Sequence, residues 1–207
     1  MKKQFKTLVT VCALLTVTAM EANAAMAEKI SIVPVLGGNS FNYGGSGMDS
    51  RGGTLAGANV YMSTGVEGLQ LETGLNYLET GAKTNMLFVS AEKALGYIAI
   101  PVLANWQFYK TSGGTELFLK GGAYITQLMS AKLKMQGFGG SAEEDIKSQI
   151  SNNDVLVTAG FGGRWTVFSN LQAALDLNYA QGLIKTEKDG TGKSSGLILG
   201  TSLIIPL

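Results

Sequence analysis

Residues 164–183 read RWTVFSNLQAALDLNYAQGL. At period two the stretch separates into two strands that meet near 168–170. Trp165, Val167, Leu171, Ala173, Leu175, Leu177 and Tyr179 form an apolar face. Arg164, Thr166, Gln172, Ala174, Asp176, Asn178 and Ala180 form the other, so the two ionisable residues, Arg164 and Asp176, share the polar face. A one-residue slip would turn every side chain to the opposite face, so only registers that keep both charges together are admissible. A turn pairing Phe168 with Gln172 sets Arg164 opposite Asp176. One pairing Val167 with Leu171 makes them diagonal neighbours, still within reach of long side chains. The expectation is that Arg164 and Asp176 pair.

The same alternation runs outward through the chain. Eight runs carry it: 29–37, 54–63, 68–79, 97–109, 115–132, 154–167, 171–184 and 196–207. Pro34 interrupts the first and suits an edge or a bulge. The connections alternate in length. Short ones span 64–67, 110–114 and 168–170, and long polar ones span 38–53, 80–96, 133–153 and 185–195. Short turns at one end and long loops at the other are the pattern of an all-β, eight-stranded, antiparallel up-and-down transmembrane β-barrel. Runs of roughly ten residues suit a tilted crossing of the hydrocarbon layer.

A soluble, lipocalin-like binding barrel is the competing reading, with its apolar face inside. Aromatic placement separates the two. Trp106, Phe108 and Trp165 lie on the apolar face near the short-turn end, and Tyr77 and Tyr179 near the long-loop end. Two aromatic girdles are what two bilayer interfaces select, and small residues on the opposite face fit a narrow interior.

The chain opens MKKQFKTLVTVCALLTVTAMEANAAMA, a basic start, an apolar run and small residues at cleavage spacing. A secretory signal peptide is expected over residues 1–24, with alternative cleavage after Ala27, leaving one barrel domain over 25–207. Its removal takes Cys12, the one cysteine, so disulfide and thiol chemistry are not expected. It also takes three lysines and Glu21, turning a formal charge of +1 into about −1. That disfavours nucleic acid, which needs a basic face. Histidine is absent, which removes the commonest general base and transition-metal ligand. No catalytic residue, metal site or cofactor is expected.

At 68–84, GLQLETGLNYLETGAKT, and at 97–108, YIAIPVLANWQF, the chain resembles the small outer-membrane β-barrel proteins of Gram-negative bacteria, the porin-like, PorT-type group of OmpA/OmpX-like eight-stranded barrels. DIKSQISNNDVLVTAGFGGRW and LQAALDLNYAQGLI resemble that family's next loop-plus-strand and its penultimate strand, so the likeness spans residues 30–207. The resemblance implies an eight-stranded barrel with both ends in the periplasm, no shared catalytic site, and no appended peptidoglycan-binding domain of the OmpA kind. Such barrels usually end in an aromatic residue read by the barrel-insertion machinery. Here the end is Ile204-Ile205-Pro206-Leu207, and Gly200, Leu203 and Ile205 are the expected recognition pattern.

The inward polar residues are Gln70, Glu72, Asn76, Asn105, Gln107, Glu116, Lys120, Tyr124, Arg164, Asp176 and Asn178. Eight strands leave an interior just wide enough for side chains, where charges must be paired. Glu72, Asn105, Glu116, Lys120, Arg164 and Asp176 are therefore expected to form a structural ionic network. Glu72, Asn105, Lys120, Arg164 and Asp176 are expected at similar depth, with Arg164 and Asp176 joined to Lys120 and Glu72. Two loop features carry less. GGNSFNYGGSGMDSRGG, residues 37–53, lacks the Lys-Ser/Thr of a phosphate cradle. Ser141 and Glu144 in SAEEDIKSQI have capping-box spacing for a helical turn. The functional expectation is a monomeric outer-membrane barrel with a plugged lumen, in contact with outer-membrane lipid, acting structurally or through four long extracellular loops. A narrow or gated pore for small solutes is the alternative.

Overall fold

The computed structural model describes residues 30–43, 49–86, 89–137, 140–168, 171–187 and 192–207. The expected signal peptide lies outside the described residues. Among the described residues there are nine antiparallel strands: β1 (Ile30–Tyr43), β2 (Asp49–Ser63), β3 (Leu69–Met86), β4 (Val89–Lys110), β5 (Glu116–Gly137), β6 (Gly140–Asp145), β7 (Asn153–Phe168), β8 (Leu171–Lys185) and β9 (Lys193–Pro206). Eight of them close a ring. The sheet runs β4-β3-β2-β1-β9-β8-β7-β5, and β4 pairs with β5 to complete it. Neighbours in sequence are neighbours in the wall, which makes an up-and-down barrel.

The strands are longer than the hydropathy pattern predicts. β4 and β5 each have 22 residues, whereas a tilted crossing needs about 9–11. The surplus lies at the long-loop end. There β3 and β4 stay paired from Thr80↔Leu95 to Met86↔Val89, and β4 and β5 from Gly96↔Ser130 to Val89↔Gly137. Most of the expected loop over 80–96 is thus a hairpin with two residues between its strands. The loop over 133–153 is corrected too. β5 continues upward and β6 folds back on it from Gly137↔Gly140 to Lys132↔Asp145. The expected helical turn is replaced by this strand and a short 3-10 turn, Lys147–Gln149, in which Asp145 Oδ1 accepts from the Lys147 N–H at 2.8 Å. Below β6, the same edge of β5 pairs with β7, from Gln127↔Asn153 to Glu116↔Arg164.

β1 and β9 form the closing seam. The Leu207 N–H donates to the Ile30 carbonyl at 2.9 Å. Pairing is continuous from Val35↔Ser202 upward, but Val33 and Pro34 form no pair with β9, as suits a residue without an N–H. On the other side Pro34 stays in register with Ala58 of β2.

Candidate functional site: the barrel interior

Alternate residues from each of the eight ring strands meet inside the ring and stack in levels. Nearest the short turns, Arg164 of β7 is buried and ion-paired through Nε to Glu116 Oε2. Its Nη1 donates to Gln70 Oε1 at 2.6 Å and its Nη2 to Gln107 Oε1 at 3.3 Å. Glu116 also receives Lys110 Nζ at 2.8 Å, from a side chain that reaches solvent.

Above this lies the Phe118 ring. Arg164 Cζ and Lys120 Nζ each stand 5.9 Å from its centroid, inside the range at which a cation is drawn to an aromatic face. Lys120 opens the second level. Its Nζ is 3.1 Å from Glu72 Oε2 and 3.3 Å from Asp176 Oδ1, and all three side chains are at most 7 % exposed. Glu72 accepts from Asn59 Nδ2 at 2.6 Å and from Asn105 Nδ2 at 3.0 Å. Asn178 donates to Asp176, and Asn76 donates to Asn59 at 3.1 Å. Across both levels Lys110, Lys120 and Arg164 balance Glu72, Glu116 and Asp176, which is how charges persist in a dry interior.

Glu72, Asn105, Lys120 and Asp176 thus come together, and Glu116 and Arg164 sit one level below. The expected Arg164–Asp176 pair is corrected. Arg164 stands opposite Ala174, and Asp176 opposite Gly162, so the diagonal register holds. The carboxylates and ammonium of β3 and β5 then supply closer partners to each.

Toward the long-hairpin end the interior turns apolar. Phe41, Leu55, Leu78, Leu95, Leu128, Leu156 and Ile198 form a buried cluster. Ile146 and Ile150, flanking the 3-10 turn, are buried in it. The Ile146 N–H donates to the Ala131 carbonyl at 3.0 Å, and the Ser151 N–H to Thr186 at 2.9 Å. Ile150 bridges to Glu187, whose carboxylate pairs with Lys93 of β4. A cavity of about 10 Å³ bordered by Tyr43, Thr80, Thr126, Asp154 and Ser194 has room for roughly one water centre. Asp154 Oδ1 accepts from the Val155 and Ile184 N–H groups at 2.7 and 2.9 Å, and Oδ2 accepts from Ser194 Oγ at 3.2 Å. Asp154, Ile146 and Ile150 escape the sequence reading, since the first begins a strand and the others lie among charged residues of a loop. Among the described residues no group of His, Cys, Asp and Glu is arranged to hold a metal.

Outside, Tyr77, Trp106, Phe108, Trp165 and Tyr179 are all exposed on the wall. On the protruding hairpins Arg51 bonds Glu79 at 2.8 Å and Glu92 at 2.6 Å, and Lys132 bonds Glu143 at 2.6 Å. The hydrogen bond from Lys132 holds the Glu143 carboxyl below its usual range. A depressed carboxylate stabilises above its unfolded-state pKa, and the contribution fades as pH falls through the folded value. Both groups are solvated, so the effect is screened. Glu143→Gln is expected to leave the thermal midpoint unchanged at neutral pH, read by heat-dependent gel mobility; a clear drop would mean β6 depends on that pair.

A family model described as "Outer membrane protein beta-barrel domain" matches residues 31–187. Among solved structures, the chain is similar to Neisserial surface protein A, with 12 % identity over 84 % of this chain and 95 % of that one and a TM-score of 0.51. It is also similar to Ail, the attachment invasion locus protein of Yersinia pestis, with 13 % identity, coverage of 87 % and 100 %, and a TM-score of 0.46. The N-terminal β-barrel domain of Pseudomonas aeruginosa OprF aligns at 13 % identity over 84 % and 99 %, with a TM-score of 0.38. No curated protein matches in sequence.

Proposed function

The chain belongs to the outer membrane protein β-barrel domain family and resides in the outer membrane, and from that premise we propose that it is a non-conducting, non-enzymatic monomer that serves the envelope structurally or through its protruding hairpins. The observation that carries this reading is the order of the interior. An Arg164–Glu116 level, a Lys120–Glu72–Asp176 level and an apolar cluster under Ile146 and Ile150 follow one another along the axis. Each side chain is held by a partner on another strand, so a water path requires breaking paired buried charges, at several kcal/mol per ion. What remains to meet other molecules is the polar exterior of β3–β4 and β5–β6. Tyr77, Trp106, Phe108, Trp165 and Tyr179 serve as interface anchors. The refolded protein in planar bilayers is expected to give no steady unitary current. Sustained, sizeable steps would overturn the filled-lumen reading in favour of a narrow or gated pore.

A further inference from the structure

We propose that a groove in the outer wall beside the β1–β9 seam holds one acyl chain of a phospholipid from the periplasm-facing leaflet. The wall is apolar almost everywhere, but here it is also hollow, with a volume of about 400 Å³. That falls within the ~300–1,000 Å³ typical of small-molecule clefts.

Cross-strand register explains the hollow. Ala173 of β8 lies between Trp165 of β7 and Leu203 of β9. One row up, Thr201 of β9 lies between Leu175 of β8 and Leu36 of β1. Two small residues thus sit on a diagonal with large apolar side chains on either hand. Val35, Ala174 and Ser202 also border the groove, although Ala174 and Ser202 are buried on the inward face. The trough therefore reaches the backbone, where Val33 and Pro34 leave the seam unpaired. The Thr201 hydroxyl donates to the Leu36 carbonyl at 2.7 Å, so it needs nothing from an occupant. Among the described residues, no ionisable side chain lines the groove.

These features select the occupant. The groove is continuous with the wall that an outer-membrane barrel turns to lipid. Its floor is two strands wide, at about 4.8 Å between neighbours. A helix about 10–12 Å across would ride on the rim, whereas a single hydrocarbon chain enters. Trp165 sits three residues before the end of β7 at the short-turn end, and short turns face the periplasm, which places the groove in the periplasmic leaflet.

The protein refolded into vesicles of phosphatidylethanolamine and phosphatidylglycerol, extracted in mild detergent, is to be examined by native mass spectrometry. One retained phospholipid per barrel is expected. Ala173→Phe fills the trough, and retention is expected to fall about tenfold. Ala159→Phe adds the same bulk outside the groove, at an exposed position on β7, and retention is expected to persist. Leu36→Ala lowers one rim without touching the interior and is expected to weaken retention; it carries the test if Ala173→Phe does not refold. Lipid absent from the parent protein, equal loss in Ala173→Phe and Ala159→Phe, or a second barrel in place of the lipid would each overturn the assignment. None of these outcomes bears on conductance, so the inference and the proposed function fail separately.

Discussion

Lys120→Met is expected to destabilise the barrel by about 3–5 kcal/mol, because it leaves buried charges without their counter-ion. Glu72 and Asp176 flank Lys120 at 3.1 and 3.3 Å, and their side chains are 2 % and 7 % exposed. Their remaining partners are the amides of Asn59, Asn105 and Asn178, which bring no charge. Arg164→Met is the informative comparison. It strips Glu116 of one cation but leaves Lys110 at 2.8 Å, reaching in from solvent. The loss there is expected to be smaller, about 1.5–3 kcal/mol, the scale of hydrogen bonds to a charged group. A third variant isolates the cause. Combining Lys120→Met with Glu72→Gln and Asp176→Asn removes every charge from that level, and replacing a whole buried ionic cluster is often neutral. Urea unfolding followed by tryptophan fluorescence reads all three. The account fails if Lys120→Met unfolds within 1 kcal/mol of the parent (on the order of a surface pair), or if the triple variant is no better than Lys120→Met alone.

The ranking also shows what could be read from the sequence. Parity alone assigns Glu72, Lys120, Arg164 and Asp176 to the inside, because period two leaves no other face for them. Partner choice is a different problem. A hairpin reading sees one flank of β7, so Arg164 is offered Asp176. The other flank is β5, which brings Glu116 directly opposite Arg164, and a guanidinium takes the nearer carboxylate. The loops misled for a related reason. Within the bilayer, lipid demands apolar residues on the outer face, and alternation is visible. Beyond it, water accepts polar residues on that face, so TGAKTNM (80–86) and SAEKAL (90–95) lose their hydropathy period while the ladder from Thr80↔Leu95 to Met86↔Val89 persists. Inward Ala82 and Leu95, both fully buried, are the remnant of the pattern. Ile146 and Ile150 were legible only as isolated apolar residues in a charged segment, since it takes the closed ring to give them a core to enter.

Gly160→Val and Gly163→Val, three positions apart on β7, are expected to move stability in opposite directions. Strand propensity makes no distinction between them, favouring valine over glycine by up to ~1 kcal/mol at either position. Packing does. Gly160 points inward, opposite Asn178. A Cβ there would stand 2.3 Å from Asn178 Oδ1 and 2.3 Å from the Leu177 carbonyl oxygen, with Asn178 Cα at 2.7 Å. The obstacle is backbone as well as side chain, so the strand pair itself has to part, and the Asn178–Asp176 bond of the charged level goes with it. Overpacking costs about 1–3 kcal/mol where neighbours can shift and more where they cannot, which exceeds the gain in propensity. Gly163 points outward. Its Cβ would meet Leu117 Cδ2 at 3.6 Å and the Glu116 carbonyl at 3.8 Å, both ordinary contacts, so the gain is kept and apolar surface is added on the lipid side. Gly160→Val is expected to fail to refold or to lose at least ~3 kcal/mol, and Gly163→Val to gain up to ~1 kcal/mol. The same pairing of inward glycine with inward asparagine recurs at Gly57↔Asn76 and Asn59↔Gly74, so Gly57→Val and Gly74→Val should behave like Gly160→Val. If Gly160→Val folds as well as Gly163→Val in the urea assay, the interior is wider than these contacts require and the lumen is not filled.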